Sequence, residues 1–148
     1  MSISSYPIFI ACDHGGIELK KQILENFLEQ KFIDLGTDTS DSVDYPEFAQ
    51  KLCQMIPEKP AESPIEASGI LICGSGQGMA IAANRFKHIR AALCWNTEIA
   101  ELSRKHNNAN VLCLGGRFLQ QKLAFEIIRT FYSSPFEGGR HENRVGKI

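Results

Sequence analysis

Five short apolar runs, at residues 8–12, 32–35, 69–73, 90–94 and 111–114, alternate along the chain with stretches whose apolar residues recur at helical spacing. The runs lack the polar alternation of a half-exposed strand, so strands made from them must be buried on both faces. That is the pattern of a parallel sheet sandwiched between helices. The first helical stretch, 16–30, carries Leu19, Ile23, Leu24, Phe27 and Leu28 on one face. Others run over 47–56, 79–86, from Asn96 or Thr97 to about Lys105, and over 119–132, where Leu123, Ile127, Ile128 and Phe131 have core-facing spacing. Pro46 fits the first turn of the second helix, and Asn96 or Thr97 can cap the fourth. With right-handed crossovers this order predicts a doubly wound, Rossmann-like three-layer α/β sandwich around a five-stranded parallel sheet.

A chain of 148 residues is long enough for one core and short for two, so residues 1–148 read as a single domain. Residues 57–67, with three prolines and three glutamates, read as an exposed connection within it, and 134–148 as a polar tail. Hydrophobic residues at 43% and charged residues at 22% favour a globular chain over a disordered one. No stretch approaches the roughly 20 apolar residues of a membrane span. Residues 1–6 lack the basic start and apolar core of a secretory signal, so cytoplasmic residence is expected. A net charge of -1 with dispersed Lys and Arg argues against nucleic acid as a partner. Five cysteines without a CxxC pair fit neither a disulfide framework nor a zinc ribbon. Cys53, Cys94 and Cys113 are expected in the core. Cys12 is also expected to pack, although it ends a strand beside Asp13 and His14.

In such a sheet ligands bind beyond the carboxyl ends of the strands, where the strand order reverses. The most informative loop there is CGSGQGM, Cys73 to Met79. It lacks the last glycine of GxGxxG and the GK[ST] of a P-loop, so it is neither a dinucleotide fingerprint nor a Walker motif. A cysteine at the strand end with a helix close behind would favour the reactive thiolate form. Gly74, Gly76 and Gly78 would let backbone donors converge on developing negative charge, and Ser75 could add a hydroxyl. Asp13 and His14 open the first loop. Asp13 reads either as a helix cap or as an acceptor of substrate hydroxyls, and His14 as a donor to an anion. In RKHNNAN, 104–110, His106 is a dipole partner at a helix end or an acid-base group, and Asn108 or Asn110 can serve a turn. His88 reads as solvated. Arg140 and Arg144, four apart in GGRHENR, would share one face if helical and could grip a phosphate, with Arg117 as a further candidate.

The set CDHGG, DYP at 44–46, ILICGSGQGM, SRKHNNANVL, LGGR at 114–117 and EGGRHENR resembles the ribose-5-phosphate isomerase B family, which includes the galactose-6-phosphate isomerase subunits. The resemblance runs from Ile8 to about Gly146. It implies an aldose-ketose isomerase, without metal or other cofactor, acting on ribose 5-phosphate and ribulose 5-phosphate. By the same resemblance Cys73 is the base and His106 opens the furanose ring. Asp13 and Asn107 hold sugar hydroxyls, Tyr45 walls the sugar, and His14, Arg117, Arg140 and Arg144 bind phosphate. The family forms homodimers or homotetramers whose sites combine two subunits. Rival readings are isomerisation of allose or galactose 6-phosphate, and a non-enzymatic phosphate-sensing module that would need neither Cys73 nor His106. A cysteine-dependent phosphatase is disfavoured, because the loop lacks an arginine for the transferring group.

Overall fold

A computed structural model describes residues 2–58 and 68–148, so most of the connection expected at 57–67 lies outside the described residues. The strands are β1 (Ile8–Cys12), β2 (Phe32–Asp34), β3 (Ser68–Cys73), β4 (Ala91–Leu93) and β5 (Val111–Gly115). The helices are α1 (Ile17–Asn26), α2 (Tyr45–Met55), α3 (Gln77–Ala83), α4 (Thr97–Lys105), α5 (Gln121–Ser133) and α6 (Arg140–Val145). All strand pairs are parallel, in the order β2-β1-β3-β5-β4. Successive side chains point to opposite faces, and both faces are apolar. Ile8, Ile10, Ile70, Ile72, Leu112 and Leu114 pack with Ile23 of α1 and Phe125, Ile128 and Phe131 of α5. On the other face Ala11, Leu71, Cys73 and Cys113 pack with Leu52 of α2 and Met79 and Ala83 of α3. Each large buried aliphatic side chain contributes roughly 1.5–3 kcal/mol. No helix among the described residues is long and apolar enough to cross a membrane.

Local differences from the expected elements have identifiable causes. The first helix stops at Asn26 and leaves Leu28 83% exposed, off the core face expected for it. Gln30 lies beyond the helix as a buried clamp: its amide donates to the Tyr6 and Lys31 carbonyls and accepts from the Ser4 N–H. α3 begins at Gln77, two residues earlier than expected, because Gly76 turns the chain at φ 79°. It ends at Asn84, whose amide pairs with both the N–H and the carbonyl of Ala91 on edge strand β4. His88 is not solvated as expected. It is half-buried, with Nε2 3.0 Å from the Cys53 carbonyl and its ring edge-on to Phe86. The segment read as a polar tail contains α6.

The strand order creates the crevice. From β1 the chain moves outward to β2, then returns past β1 to β3, so the β1 and β3 loops leave toward opposite faces of the sheet. They meet closely: a Cβ on Gly15 would lie 2.9 Å from the Gly74 nitrogen. Lys20 of α1 fixes the neighbouring loop. Its buried ammonium donates to Asp34 at 2.8 Å, the Thr37 carbonyl at 2.7 Å and Asp38 at 3.3 Å. Burial is the largest single influence and pushes Lys20 down, but Asp34, Cys12 and Asp38 together outweigh it, and the net shift is upward. A raised lysine contributes stability below its ordinary value near 10.4 and loses it as the pH rises through the folded value. Lys20→Met is expected to lower unfolding stability by about 1–3 kcal/mol, measured by denaturant titration at pH 7, because it strands a buried carbonyl.

Candidate active site

Two clusters hold the candidate residues, and they lie at opposite rims of the sheet. At the carboxyl rim, Cys73 ends β3 with its side chain 5% exposed, and the Gly76 N–H donates to its sulfur at 3.2 Å. The Gln77 N–H goes to Ser75 Oγ at 3.3 Å, which leaves the Ser75 hydroxyl proton available to donate outward. The N–H groups of Gly74, Ser75, Gly78 and Met79 have no protein partner among the described residues. The first amides of a helix lack intrahelical acceptors, and α3 starts at Gln77, four residues after the thiol. A side chain at Gly76 would be strained at its positive φ and would drive a Cβ to 2.5 Å from Leu93.

The other carboxyl-rim loops close on this point. Asp13, 6% exposed, accepts the Gly15 N–H at 2.9 Å through one oxygen and has the other free. It does not cap α1, whose N-cap is Gly16 without a side-chain bond. The Val43 N–H donates to His14 Nδ1 at 3.2 Å, which leaves Nε2 as the nitrogen that can donate to an outside acceptor. Tyr45, the first residue of α2, lays its ring on Gly78, where a Cβ would come within 2.6 Å of it. Arg117 bonds through its N–H to the Gly74 carbonyl at 3.0 Å, and its guanidinium lies over Gly74. Cys12 is fully buried, its thiol against the Thr37 carbonyl, and burial pushes it up to about 11. It has no part in the crevice.

His106, Asn107, Arg140 and Arg144 belong to the amino rim. α4 runs back along the sheet and caps at His106, and the turn after it enters β5 at Val111, paired with Gly69 at the start of β3. Cys73 pairs with Gly115 at the far end of the same ladder, about 13 Å of strand away at roughly 3.3 Å per residue. One chain therefore does not bring His106 to its own Cys73.

The amino-rim cluster includes two residues that sequence reasoning missed. The rings of His106 and His141 stack with centroids 4.2 Å apart and planes within 10°. His141 is 7% exposed, and its Nε2 lies 3.6 Å from an oxygen of Glu137, four residues earlier in the loop before α6. The spacing of Glu137 and His141 was the available signal. His106, Glu137 and His141 have the right ligand types for a metal within 4.8 Å. However, the stacked rings hold their lone pairs in separate parallel planes, so as they stand they do not aim at one ion. Arg140 and Arg144 lie on α6 four residues apart, both exposed. His141 is pushed below the ordinary histidine value, first by burial, then by His106, Arg140 and Arg144, with Glu137 opposing. A depressed histidine costs stability as pH falls below about 6.5, where the unfolded chain takes the proton more readily. The thermal midpoint should fall between pH 7 and pH 5, and less so in His141→Phe.

The sequence matches the family model described as Ribose/Galactose Isomerase over residues 8–148. The chain belongs to the ribose/galactose isomerase family. Membership makes it an enzyme of the isomerase class. It is 41% identical to ribose-5-phosphate isomerase B of Escherichia coli over 143 residues, covering 95% of this chain and 93% of that protein. The solved structure of a ribose 5-phosphate isomerase from Thermotoga maritima superposes with a TM-score of 0.89 at 47% identity, covering 97% of each chain. The same score is reached at 42% identity by ribose-5-phosphate isomerase B from Mycoplasma genitalium with bound ribulose-5-phosphate, over 97% of this chain and 94% of that one.

Proposed function

We propose that the chain interconverts D-ribose 5-phosphate and D-ribulose 5-phosphate in the cytoplasm, through an enediolate, at sites each built from two subunits. The observation that carries this reading is the Cys73 thiol at the end of β3, bonded by the Gly76 N–H and followed directly by a loop whose Gly74, Ser75, Gly78 and Met79 N–H groups have no protein partner among the described residues. Isomerisation needs a base for the C2 proton of the open-chain aldose, donors for the oxygen that becomes negative, an acid-base group for the ring form and an anchor for phosphate. Cys73 takes the proton from C2, the C–H electron pair forms the C1–C2 double bond, and charge collects on the C1 oxygen. The Gly74–Gly78 backbone and the Ser75 hydroxyl hold that oxygen. Transfer of the C2 hydroxyl proton to the C1 oxygen, followed by return of the proton from Cys73 to C1, leaves a carbonyl at C2 and gives the ketose.

The remaining roles fall on both rims. Asp13 holds a sugar hydroxyl and Tyr45 walls the sugar, while a second copy supplies His106 to open the furanose and Asn107 for another hydroxyl. His14 and Arg117 bind the phosphate together with Arg140 and Arg144 of that second copy. In this reading residues 1–148 act as one domain and 134–148 lie against the partner. A homodimer is the smallest assembly that completes the site. Exposed Trp95 at 58% and Phe118 at 80%, in the loops after β4 and β5, fit a rim that another chain covers.

The roles assigned here include none for a metal. The test is interconversion of the two pentose phosphates in the presence of a chelator, with solvent deuterium appearing at the reacting carbons of recovered sugar. Turnover without any exchange would contradict the enediolate route if deuterium is also absent after many turnovers. Because the family name covers galactose, allose and galactose 6-phosphates belong in the same assay, and a faster hexose reaction would overturn the pentose assignment. Replacing Arg140 and Arg144 together with alanine should raise KM about 10²-fold with a smaller change in kcat, since each charged hydrogen bond contributes about 1.5–3 kcal/mol. Unchanged KM would remove them from the anchor.

A further inference from the structure

Two arginines are buried or half-buried at the amino rim without a carboxylate partner among the described residues. Arg104, on the last turn of α4, is 4% exposed. Its Nε donates to the Ser134 carbonyl at 3.3 Å, and one terminal nitrogen donates to Asn108 Oδ1 at 3.0 Å and to the Ala109 carbonyl. Its guanidinium carbon lies 5.7 Å from the centre of the Phe131 ring. Arg90 donates through Nε to the Asn108 carbonyl at 2.8 Å. Burial pushes Arg104 down to about 10, with Tyr132 opposing and Arg90 adding to the fall, so it stays charged at neutral pH. Removing a cation from water without a counter-ion is costly, and well-packed apolar groups often serve the fold as well or better. An apolar side chain could not hold three oxygens together.

Those oxygens belong to the two pieces of chain that carry the amino-rim residues. Asn108 and Ala109 follow His106 and Asn107, and Asn108 sits at φ 48°, a left-handed conformation uncommon outside glycine. Ser134 opens the segment leading to Glu137 and α6. The two pieces also touch through the Glu137 N–H on the Lys105 carbonyl at 3.1 Å and through the stack of His106 on His141. We infer that Arg104 is a positioning residue that locks His106, Asn107 and the arginines of α6 into one unit, presented whole to the thiol rim of a second copy. The inference rests on the two-subunit isomerase reading above.

Arg104→Met keeps the length and packing against Phe131, and Arg104→Lys keeps the charge but replaces the planar fork with a single point donor. Three measurements on each variant test the inference: the thermal midpoint, the nuclear Overhauser effect between the rings of His106 and His141, and turnover of ribose 5-phosphate. Both variants should fold, lose the ring-to-ring signal and lose on the order of 10²-fold in kcat/KM, the scale of a misplaced catalytic group. Mixing Arg104→Met with Cys73→Ala and allowing subunits to exchange should then restore activity, because the mixed dimer has one site with both rims unaltered. Mixing it with His106→Asn should not. If Arg104→Met does not fold, Arg104→Lys takes its place throughout. A folded variant with wild-type kinetics and an intact ring signal overturns the inference, as does failure of Cys73→Ala to rescue, which would mean the whole chain is damaged. If the unaltered chain turns over no pentose phosphate, the isomerase reading falls separately, and the ring signal alone decides the role of Arg104.

Discussion

Replacing Cys73 with alanine should lower turnover of ribose 5-phosphate by about 10³-fold, within the range for loss of a positioned base. Thermal stability and phosphate affinity should change little. The thiol is small, its one hydrogen bond is accepted from the Gly76 N–H, and no other chain segment hangs from it. Cys73→Ser separates the two roles the sulfur could have. A serine oxygen would still accept the Gly76 N–H and preserve the loop, but an alcohol has almost no anionic form at neutral pH, so the loss should be of the same order. Exchange of the substrate proton with solvent should disappear with turnover in both variants. Full activity in Cys73→Ala would transfer the base elsewhere, and Asp13, whose second oxygen is free in the same crevice, would be the next residue to remove.

The five strands were legible because burial on both faces leaves continuous apolar runs, and runs of this length interrupted by helical spacing admit few other folds. The ends of helices were less so. Leu28 continues the apolar period of α1, yet it is exposed: the helix ends at Asn26, and beyond it the Gln30 side chain ties the chain to Ser4 and Tyr6 of the N-terminal segment. That tie is long-range and leaves no local mark. The strand order was also hidden, and with it the contact of the Asp13 and Gly74 loops. The residue types at the carboxyl rim were all visible in the sequence, since glycine, cysteine and aspartate at strand ends have few structural reasons to occur together. His141 was not, because its ring is defined by stacking on a histidine 35 positions earlier, a contact that depends on the fold of the segment after α5. Arg104 escaped notice for a related reason. It adjoins the chemistry in sequence but points inward, and its partners are carbonyls that no residue type announces.

The partition of the candidate residues between two rims is the feature with the widest consequence. The thiol, the amide cradle, Asp13, His14 and Arg117 stand at one end of the strands, while His106, Asn107 and the α6 arginines stand at the other. A rotation that places one copy's amino rim over the other's carboxyl rim creates two identical sites, as a two-fold dimer requires. In the proposed dimer one copy would supply the proton-transfer groups with His14 and Arg117, and the other would supply the ring-opening histidine and the α6 arginines, so both contribute to the phosphate. A lesion in either set would impair both sites of the proposed homodimer, whereas in a mixed dimer both lesions would fall in one site and leave the other intact.

The most direct test is therefore to combine two inactive variants, Cys73→Ala and His106→Asn, under conditions that let subunits exchange. In the mixed dimer one site receives both substitutions and the other receives neither. Random pairing makes half the dimers mixed, so activity should return to about one quarter of the wild-type value. Recovery near that level is what a shared site predicts. No recovery, with mixed dimers shown to form by native mass spectrometry, would contradict it and place Cys73 and His106 in the same chain's site.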